Sequence, residues 1–191
     1  MTQPVMRGAT YEDLLRIPEN LIAELIDGEI YTAPRPGSPH AHAASALGAF
    51  LMPPFHFGIG GPGGWWILDE PELHLRRDAF VPDLGGWRRE TTPECPNTSG
   101  TDIVPDWLCE VLSPSNAGYD RVKKVPKYAR NGVDFVWIID PIAHTLEVYR
   151  LSGEHYVLLD THEGDERVRV EPFEEFELDL SLLWLPLSVK E

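Results

Sequence analysis

The chain has few cysteines, few basic residues and no long apolar run. Its 191 residues include 2 cysteines, and 16 Lys or Arg stand against 31 Asp or Glu. Cys95 and Cys109 are too few for a disulfide framework and lack metal-ligand spacing, so both are predicted to be reduced. No window approaches the about 20 apolar residues that a membrane span needs, and the N-terminus lacks a signal-peptide pattern. These features predict a soluble, cytoplasmic protein.

The shortage of basic residues gives a net charge of −15. Non-specific nucleic-acid binding depends on a basic surface, so this charge argues against it. The charge is unevenly distributed, however. Residues 76–130 hold nine Lys or Arg and eight acids, about +1, whereas the rest of the chain holds seven and twenty-three, about −16. The acidic part favours solubility, and the separation leaves the basic groups close in sequence to Glu110.

Length and hydrophobic content fit one domain over residues 1–191, with a core at about 10–185. Residues 21–26 and 29–33 flank an Asp-Gly pair and predict a tight β-hairpin. Helices are predicted from Thr10 to Leu15, over residues 40–52, and after Ser115. Further strands are predicted at 65–69, 72–75, 80–84, 107–112, 135–140, 145–151, 155–160, 167–171 and 176–180.

Glu110 is the most unusual residue, because it lies within the apolar strand predicted at 107–112. A buried glutamate is costly unless its charge is paired or bound to a metal. The sequence offers a bound metal or one of three lysines, Lys123, Lys124 and Lys127. Most lysines are simply exposed, and only one of these three can fill the role.

The segment after Ser115 is helical in character but is interrupted by Pro126. Asp120, Lys124 and Tyr128 are spaced so that they share one helix face. Pro126 lacks an N–H and clashes with the preceding turn. The helix therefore either kinks there or begins near Pro126 with Lys124 just before it. Asn131-Gly132 predicts its C-terminal end.

Three other polar residues have both a functional and a plain structural interpretation. Glu24 lies inside the first hairpin strand, where an exposed edge-strand acid is about equally plausible. His40 lies in the first turn of an apolar helix face, where packing is the commoner role. Asp83 follows Pro82 and, taken alone, reads as a turn aspartate within the strand predicted at 80–84. The apolar residues 182–187 predict an exposed patch and a dimer contact.

These residues fall in an ordered set of motifs. The set comprises ELIDGEI (24–30), Ser-Pro-His ending at 40, VPD (81–83), EVLSPS (110–115), the D-x3-K-x3-Y of 120, 124 and 128, and NGVDFVWIIDP. It resembles a widespread bacterial family of candidate endonucleases in the restriction-endonuclease-like PD-(D/E)XK superfamily, long catalogued as a domain of unknown function. The resemblance covers about residues 10–185. It implies an α/β fold (α+β, mixed sheet): a restriction-endonuclease-like core with an N-terminal hairpin and flanking helices.

The resemblance also implies roles for individual residues. Asp83 matches the superfamily's metal-binding aspartate and Glu110 its second acidic ligand, with Glu24 as an extra ligand or orienting group. The superfamily lysine two residues after the glutamate is Leu112 here, and the matching family position is Lys124. Other neighbours of the site are then expected to be His40, Asp120, Lys127 and Tyr128.

Together with the Val111 carbonyl, these acids form an all-oxygen set suited to Mg²⁺ or Mn²⁺. The expected activity is hydrolysis of DNA phosphodiester bonds by a homodimer. Alternatives are a non-catalytic binding or regulatory protein and a hydrolase of another phosphate substrate. In a further alternative, Glu110 only pairs with Lys124 to organise the core.

Overall fold

The structure is a computed structural model that describes residues 3–18, 20–33, 35–114 and 116–186. The helices are α1 Tyr11–Leu14, α2 Ser38–Leu51, α3 Ala117–Tyr119 and α4 Val125–Asn131, with π-helical turns at Met52–His56 and Asp120–Lys124 and a 3₁₀ turn at Leu180–Leu183. The strands are β1 Met6–Arg7, β2 Ile22–Ile26, β3 Glu29–Ala33, β4 Trp65–Asp69, β5 Leu73–Leu75, β6 Asp78–Phe80, β7 Leu84–Arg88, β8 Trp107–Val111, β9 Phe135–Asp140, β10 Thr145–Ser152, β11 His155–Glu163, β12 Arg167–Val168 and β13 Leu178–Asp179.

The strands form three sheets. A five-stranded antiparallel sheet has the order β1-β3-β2-β6-β5, and a six-stranded sheet has the order β11-β10-β9-β8-β7-β4. β12 and β13 form a separate pair. Among the strands of the described residues, β8 and β9 alone run parallel, and the chain between them contains α3, the π turn and α4, as a parallel crossover requires. This mixed α+β architecture confirms the predicted fold class.

The predicted hairpin is β2–β3. Asp27 has φ of 53° and Gly28 has φ of 71°. The two-residue turn whose twist matches that of the flanking strands needs positive φ at both central residues. An Asp-Gly pair satisfies this requirement. β2 pairs with β3 on one side and with β6 on the other. The hairpin strand that carries Glu24 is therefore the central strand of its sheet.

The strand predicted at 80–84 is wrong. β6 ends at Phe80 and β7 begins at Leu84, and the two strands belong to different sheets. The three residues between them, from Val81 to Asp83, carry the chain from one sheet to the other. Pro82 has no N–H to donate to a ladder, which favours a break in pairing at this point. Asp83 thus lies at the junction of the two sheets, directly before β7, which pairs with β8.

α4 begins where the second of the two predicted alternatives places it, although it continues the helical path of the preceding residues. α4 begins at Val125 with Pro126 in its first turn, where no intrahelical N–H is needed, and Lys124 is its N-terminal cap. The π turn of residues 120–124 joins α3 to α4 without a break in the helical path. Gly132 ends α4 in the left-handed conformation with φ of 84°, as predicted.

The end of α2 differs from its prediction. The helix was expected to stop before Pro53-Pro54, but the chain continues through the π turn of Met52–His56. Both prolines lie at the start of this turn, and the wider π turn leaves their carbonyls free for the following loop. Pro53 accepts from Ile59 N–H and Pro54 accepts from Gly63 N–H.

The six-stranded sheet separates two apolar clusters, and β8 contributes to both. Trp107 packs with α2 residues such as Leu47, whereas Leu108 packs with Tyr128 of α4. Because side chains alternate along a strand, Glu110 lies on the Leu108 side and faces the helical crossover. None of the helices in the described part of the chain has the length and apolar character needed to cross a membrane.

The C-terminal segment also corrects two predictions. β12 and β13 are two-residue strands, shorter than the predicted 167–171 and 176–180. The exposed apolar patch expected at 182–187 is wrong for Leu183 and Trp184, which are buried in the core. Trp184 stacks on His144 and donates from Nε1 to the Gly164 carbonyl at 2.7 Å. Leu187 lies outside the described residues.

The left-handed end of α4 gives a stability prediction. Gly132→Ala should lower the free energy of unfolding by about 1–2 kcal/mol, because a Cβ disfavours positive φ. Urea denaturation measures the change. Arg130→Ala, at an exposed position of the same helix, is the control and should change it by less than about 0.5 kcal/mol. Equal effects of the two substitutions would contradict the explanation.

Candidate active site

A pocket of about 320 Å³ opens at the junction of the two large sheets. It collects seven of the residues predicted for the site, from five separate parts of the chain. They are Glu24 on β2, His40 on α2, Asp83 between β6 and β7, Glu110 and Val111 on β8, and Asp120 and Lys124 in the π turn. These parts meet only because the chain crosses between the sheets here.

The ammonium of Lys124 lies at the centre of this group. Its Nζ is 2.8 Å from Glu110 Oε1, 2.9 Å from Glu24 Oε1 and 3.8 Å from Asp120 Oδ1. Its side chain is only 4% exposed. Burial alone would lower the pKa of Lys124, but the surrounding carboxylates, Glu110 first, raise it well above the ordinary value. Lys124 therefore remains a buried cation at neutral pH.

Glu110 is held by this lysine and by a tyrosine behind it. Tyr128 lies outside the pocket lining, and its hydroxyl donates to Glu110 Oε1. Lys124 Nζ also donates to Glu110 Oε2 at 2.9 Å. Burial raises the pKa of Glu110 above its usual range, the nearby acids raise it further, and Lys124 opposes them. Lys124 thus supplies a cation of the kind that the sequence analysis expected beside Glu110.

Glu24 is fixed from both sides. Its Oε1 accepts the Val81 N–H at 2.8 Å, and its Oε2 accepts the Tyr119 hydroxyl at 2.9 Å. The interpretation of Glu24 as an exposed edge-strand acid is wrong, because β2 is central in its sheet and the residue is only 6% exposed. The hairpin therefore delivers a buried carboxylate to Lys124.

Asp83 is held by a histidine and a backbone amide. Its Oδ1 is 3.0 Å from His40 Nε2, and its Oδ2 accepts the Val111 N–H at 2.7 Å. Burial lowers the pKa of His40, but the hydrogen bond and the charge of Asp83 outweigh it, so the pKa is raised overall. The Val111 amide ties Asp83 to the strand that carries Glu110.

The other two lysines are not in the pocket lining. Lys127 Nζ forms ion pairs with Asp27 of the hairpin turn and with Asp78 of β6, at 2.9 Å to Asp78. Lys123 is half-buried and is absent from the pocket lining. Among the three candidates, the structure brings Lys124 to Glu110. Lys127 instead joins α4 to the five-stranded sheet.

Two buried residues of this region carried no clear sequence signal. Tyr119 reaches Glu24 across 95 positions of sequence, and Asp78 reaches Lys127 across 49. The i, i+4 pattern from Asp120 assumes an α-helix, and in that pattern Tyr119 lies off the shared face. The π turn changes the spacing, so only the three-dimensional path shows that Tyr119 belongs to the site.

Carboxyl groups outnumber cationic side chains in the pocket lining. Four of them, those of Glu24, Asp83, Glu110 and Asp120, line it together with Lys124 and the exposed Arg35. Within the described residues, no group of three or more His, Cys, Asp or Glu is arranged to hold a metal ion. Mg²⁺ does not need such a cage, because it is usually bound through one or two carboxylates together with waters and substrate phosphates. The excess of oxygen ligands over cations therefore fits a hard divalent ion.

The burial of Asp120 gives a pH prediction. Burial raises the pKa of Asp120 from 3.8 to about 7, with Lys124 opposing and other acids adding to the shift. The folded state thus holds this proton more tightly than the unfolded state, so the free energy of unfolding falls as pH rises between these values. Asp120→Asn cannot ionise and should show a shallower decline in urea titrations at about pH 5 and about pH 8. Parallel declines in both proteins would contradict the assignment.

Comparisons with known proteins agree with this fold and these motifs. The crystal structure of a protein described as "a putative nuclease belonging to DUF820 from Anabaena variabilis ATCC 29413" has 25% sequence identity to this chain. The match has a TM-score of 0.68 and covers 91% of this chain and 96% of that one. No curated protein sequence matches the chain significantly.

A family model also matches most of the chain. The model is described as "Uma2: Putative restriction endonuclease" and matches residues 9–182. This range contains all the residues that line the pocket. The protein therefore belongs to the Uma2 family and has the restriction-endonuclease-like fold that its motifs predicted.

Proposed function

We propose that this protein is a metal-dependent nuclease that hydrolyses DNA phosphodiester bonds. Family membership and the similar solved structure support a nuclease in general terms. The observation that carries the specific proposal is the pocket in which Asp83, Glu110 and Lys124 meet, since acids paired with an amine suit metal-assisted phosphoryl chemistry.

Asp83, Glu110 and the Val111 main-chain carbonyl are the groups that would hold the metal. All three residues line the pocket, and their oxygen donors suit Mg²⁺ or Mn²⁺ better than softer ions. His40 and the Val111 N–H fix the two oxygens of Asp83. When bound, the ion would polarise the phosphodiester and lower the pKa of a water molecule.

The protein's own contribution is charge and orientation. The Lys124 ammonium supplies positive charge beside the reacting phosphate, where negative charge develops during hydrolysis. Tyr128 keeps the carboxylate of Glu110 oriented from behind. The buried surroundings of both groups strengthen these interactions relative to water.

The overall charge bears on the substrate and on the form of the enzyme. A net charge of −15 predicts weak binding of DNA, so recognition depends on the site itself and not on a basic surface. We infer one domain at about residues 10–185, because the pocket draws on both large sheets. A cytoplasmic homodimer remains the expected form.

Plasmid cleavage tests the proposal. Asp83→Asn and Glu110→Gln should each lower cleavage in Mn²⁺ or Mg²⁺ by about 100-fold or more, because each removes a charged ligand. Glu147→Gln is the matched control. Glu147 lies on β10, pairs with Arg121 and is absent from the pocket lining, so this variant should cleave at the wild-type rate.

The results also separate the alternatives. Retained cleavage in both pocket variants would rule out this site. Metal binding without DNA binding or cleavage would instead favour a regulatory protein or a hydrolase of another phosphate substrate. If Glu110 serves only to organise the core, Glu110→Gln should unfold the protein rather than leave a folded, inactive one.

A further inference from the structure

The carboxylate of Glu110 is nearly saturated by donors from the protein itself. A carboxylate offers about four lone-pair sites. Oε1 accepts the Tyr128 hydroxyl and lies 2.8 Å from Lys124 Nζ, and Oε2 lies 2.9 Å from the same nitrogen. Three of these sites are therefore engaged, two of them by one ammonium.

This arrangement leaves little room for a second cation on Glu110. Mg²⁺ binds carboxylate oxygens at about 2.0–2.1 Å. With the present Lys124 contacts, an ion on either oxygen would lie within about 5 Å of the ammonium. Like charges at that distance in a buried pocket repel strongly. The amine and the metal therefore compete for Glu110.

The Lys124 ammonium already contacts a second carboxylate, that of Glu24. Glu24 Oε1 lies 2.9 Å from Lys124 Nζ, the Val81 carbonyl 3.3 Å and Asp120 Oδ1 3.8 Å. Two fixed donors, the Val81 N–H and the Tyr119 hydroxyl, already orient the Glu24 carboxylate. Glu24 is thus held in an orientation suited to an ammonium.

We propose that the Lys124 ammonium, which contacts both carboxylates, is the resident counter-ion of Glu110, and that a divalent ion must displace it from Glu110 and leave it on Glu24. The inference rests on the proposed metal-dependent function. It assigns Glu24 to positioning the lysine and leaves metal binding to Asp83 and Glu110. Glu110 then has a counter-ion before the metal arrives.

Calorimetric titration with MnCl₂ tests the competition without an activity assay. Lys124→Met removes the competing cation, so the variant should bind Mn²⁺ about 10- to 100-fold more tightly than the wild type. Lys127→Met is the matched control, because Lys127 also pairs with two acids and lies three residues further along. Its Mn²⁺ affinity should match that of the wild type.

A charge-balanced double variant separates displacement from a general electrostatic effect. Lys124→Met with Glu24→Gln removes one positive and one negative charge, so the pocket keeps its net charge. If displacement governs binding, the double variant still binds Mn²⁺ more tightly than the wild type. It also leaves fewer unpaired buried acids than Lys124→Met alone, which protects folding. Thermal denaturation without Mn²⁺ shows whether the variant is folded, and a higher melting temperature with Mn²⁺ shows that the folded protein binds the ion.

Each outcome decides a definite point. Tighter binding in both Lys124 variants, with unchanged binding in Lys127→Met, supports the proposal. Unchanged or weaker binding in the double variant overturns it, as does an equal gain in Lys127→Met. If the displacement is overturned but the wild type binds Mn²⁺ and Asp83→Asn does not, the proposed metal-dependent function stands. Absence of Mn²⁺ binding in the wild type and in both Lys124 variants would instead refute the proposed metal dependence.

Discussion

The ion pair network around Lys124 is the interaction on which the rest of the structure depends. Burying an ion costs several kcal/mol unless partners surround it. Lys124 meets this condition through contacts to Glu110 on the six-stranded sheet and Glu24 on the five-stranded sheet. One side chain therefore ties both sheets to the helical crossover. The same contacts define the candidate active site, so stability and the proposed function draw on the same groups.

Two local features bring the charged residues of the pocket together. The π turn of residues 120–124 turns both Asp120 and Lys124 inward, and both are buried. π turns of this kind are frequent at functional sites. The second feature is the short passage from β6 to β7, which brings Asp83 to the end of the strand beside β8. Lys127 adds a second link between α4 and the hairpin through Asp27 and Asp78.

Where the sequence prediction failed, a long-range contact overrode a local pattern. The apolar residues at 80–84 suit a strand, but Phe80 belongs to β6, which pairs with β2, whereas Leu84 belongs to β7, which pairs with β8. Leu183 and Trp184 suit an exposed patch, but the core covers them. Glu24 suits an edge strand until β6 pairs with β2 on its open side. In each case the partner lies far away in sequence, where periodicity carries no information.

The sequence by itself determined the features that depend on near neighbours. It predicted the Asp-Gly hairpin because that turn needs two positive φ values, and it singled out Glu110 because an acid in an apolar strand requires a cation. Its ordered motifs also indicated the fold. The motifs also pointed to Lys124, but only the tertiary structure showed that this lysine contacts Glu110 and that Glu24 shares it. The physical reason is that ion pairs between strands and helices depend on the packing of whole sheets, which no local stretch of sequence specifies.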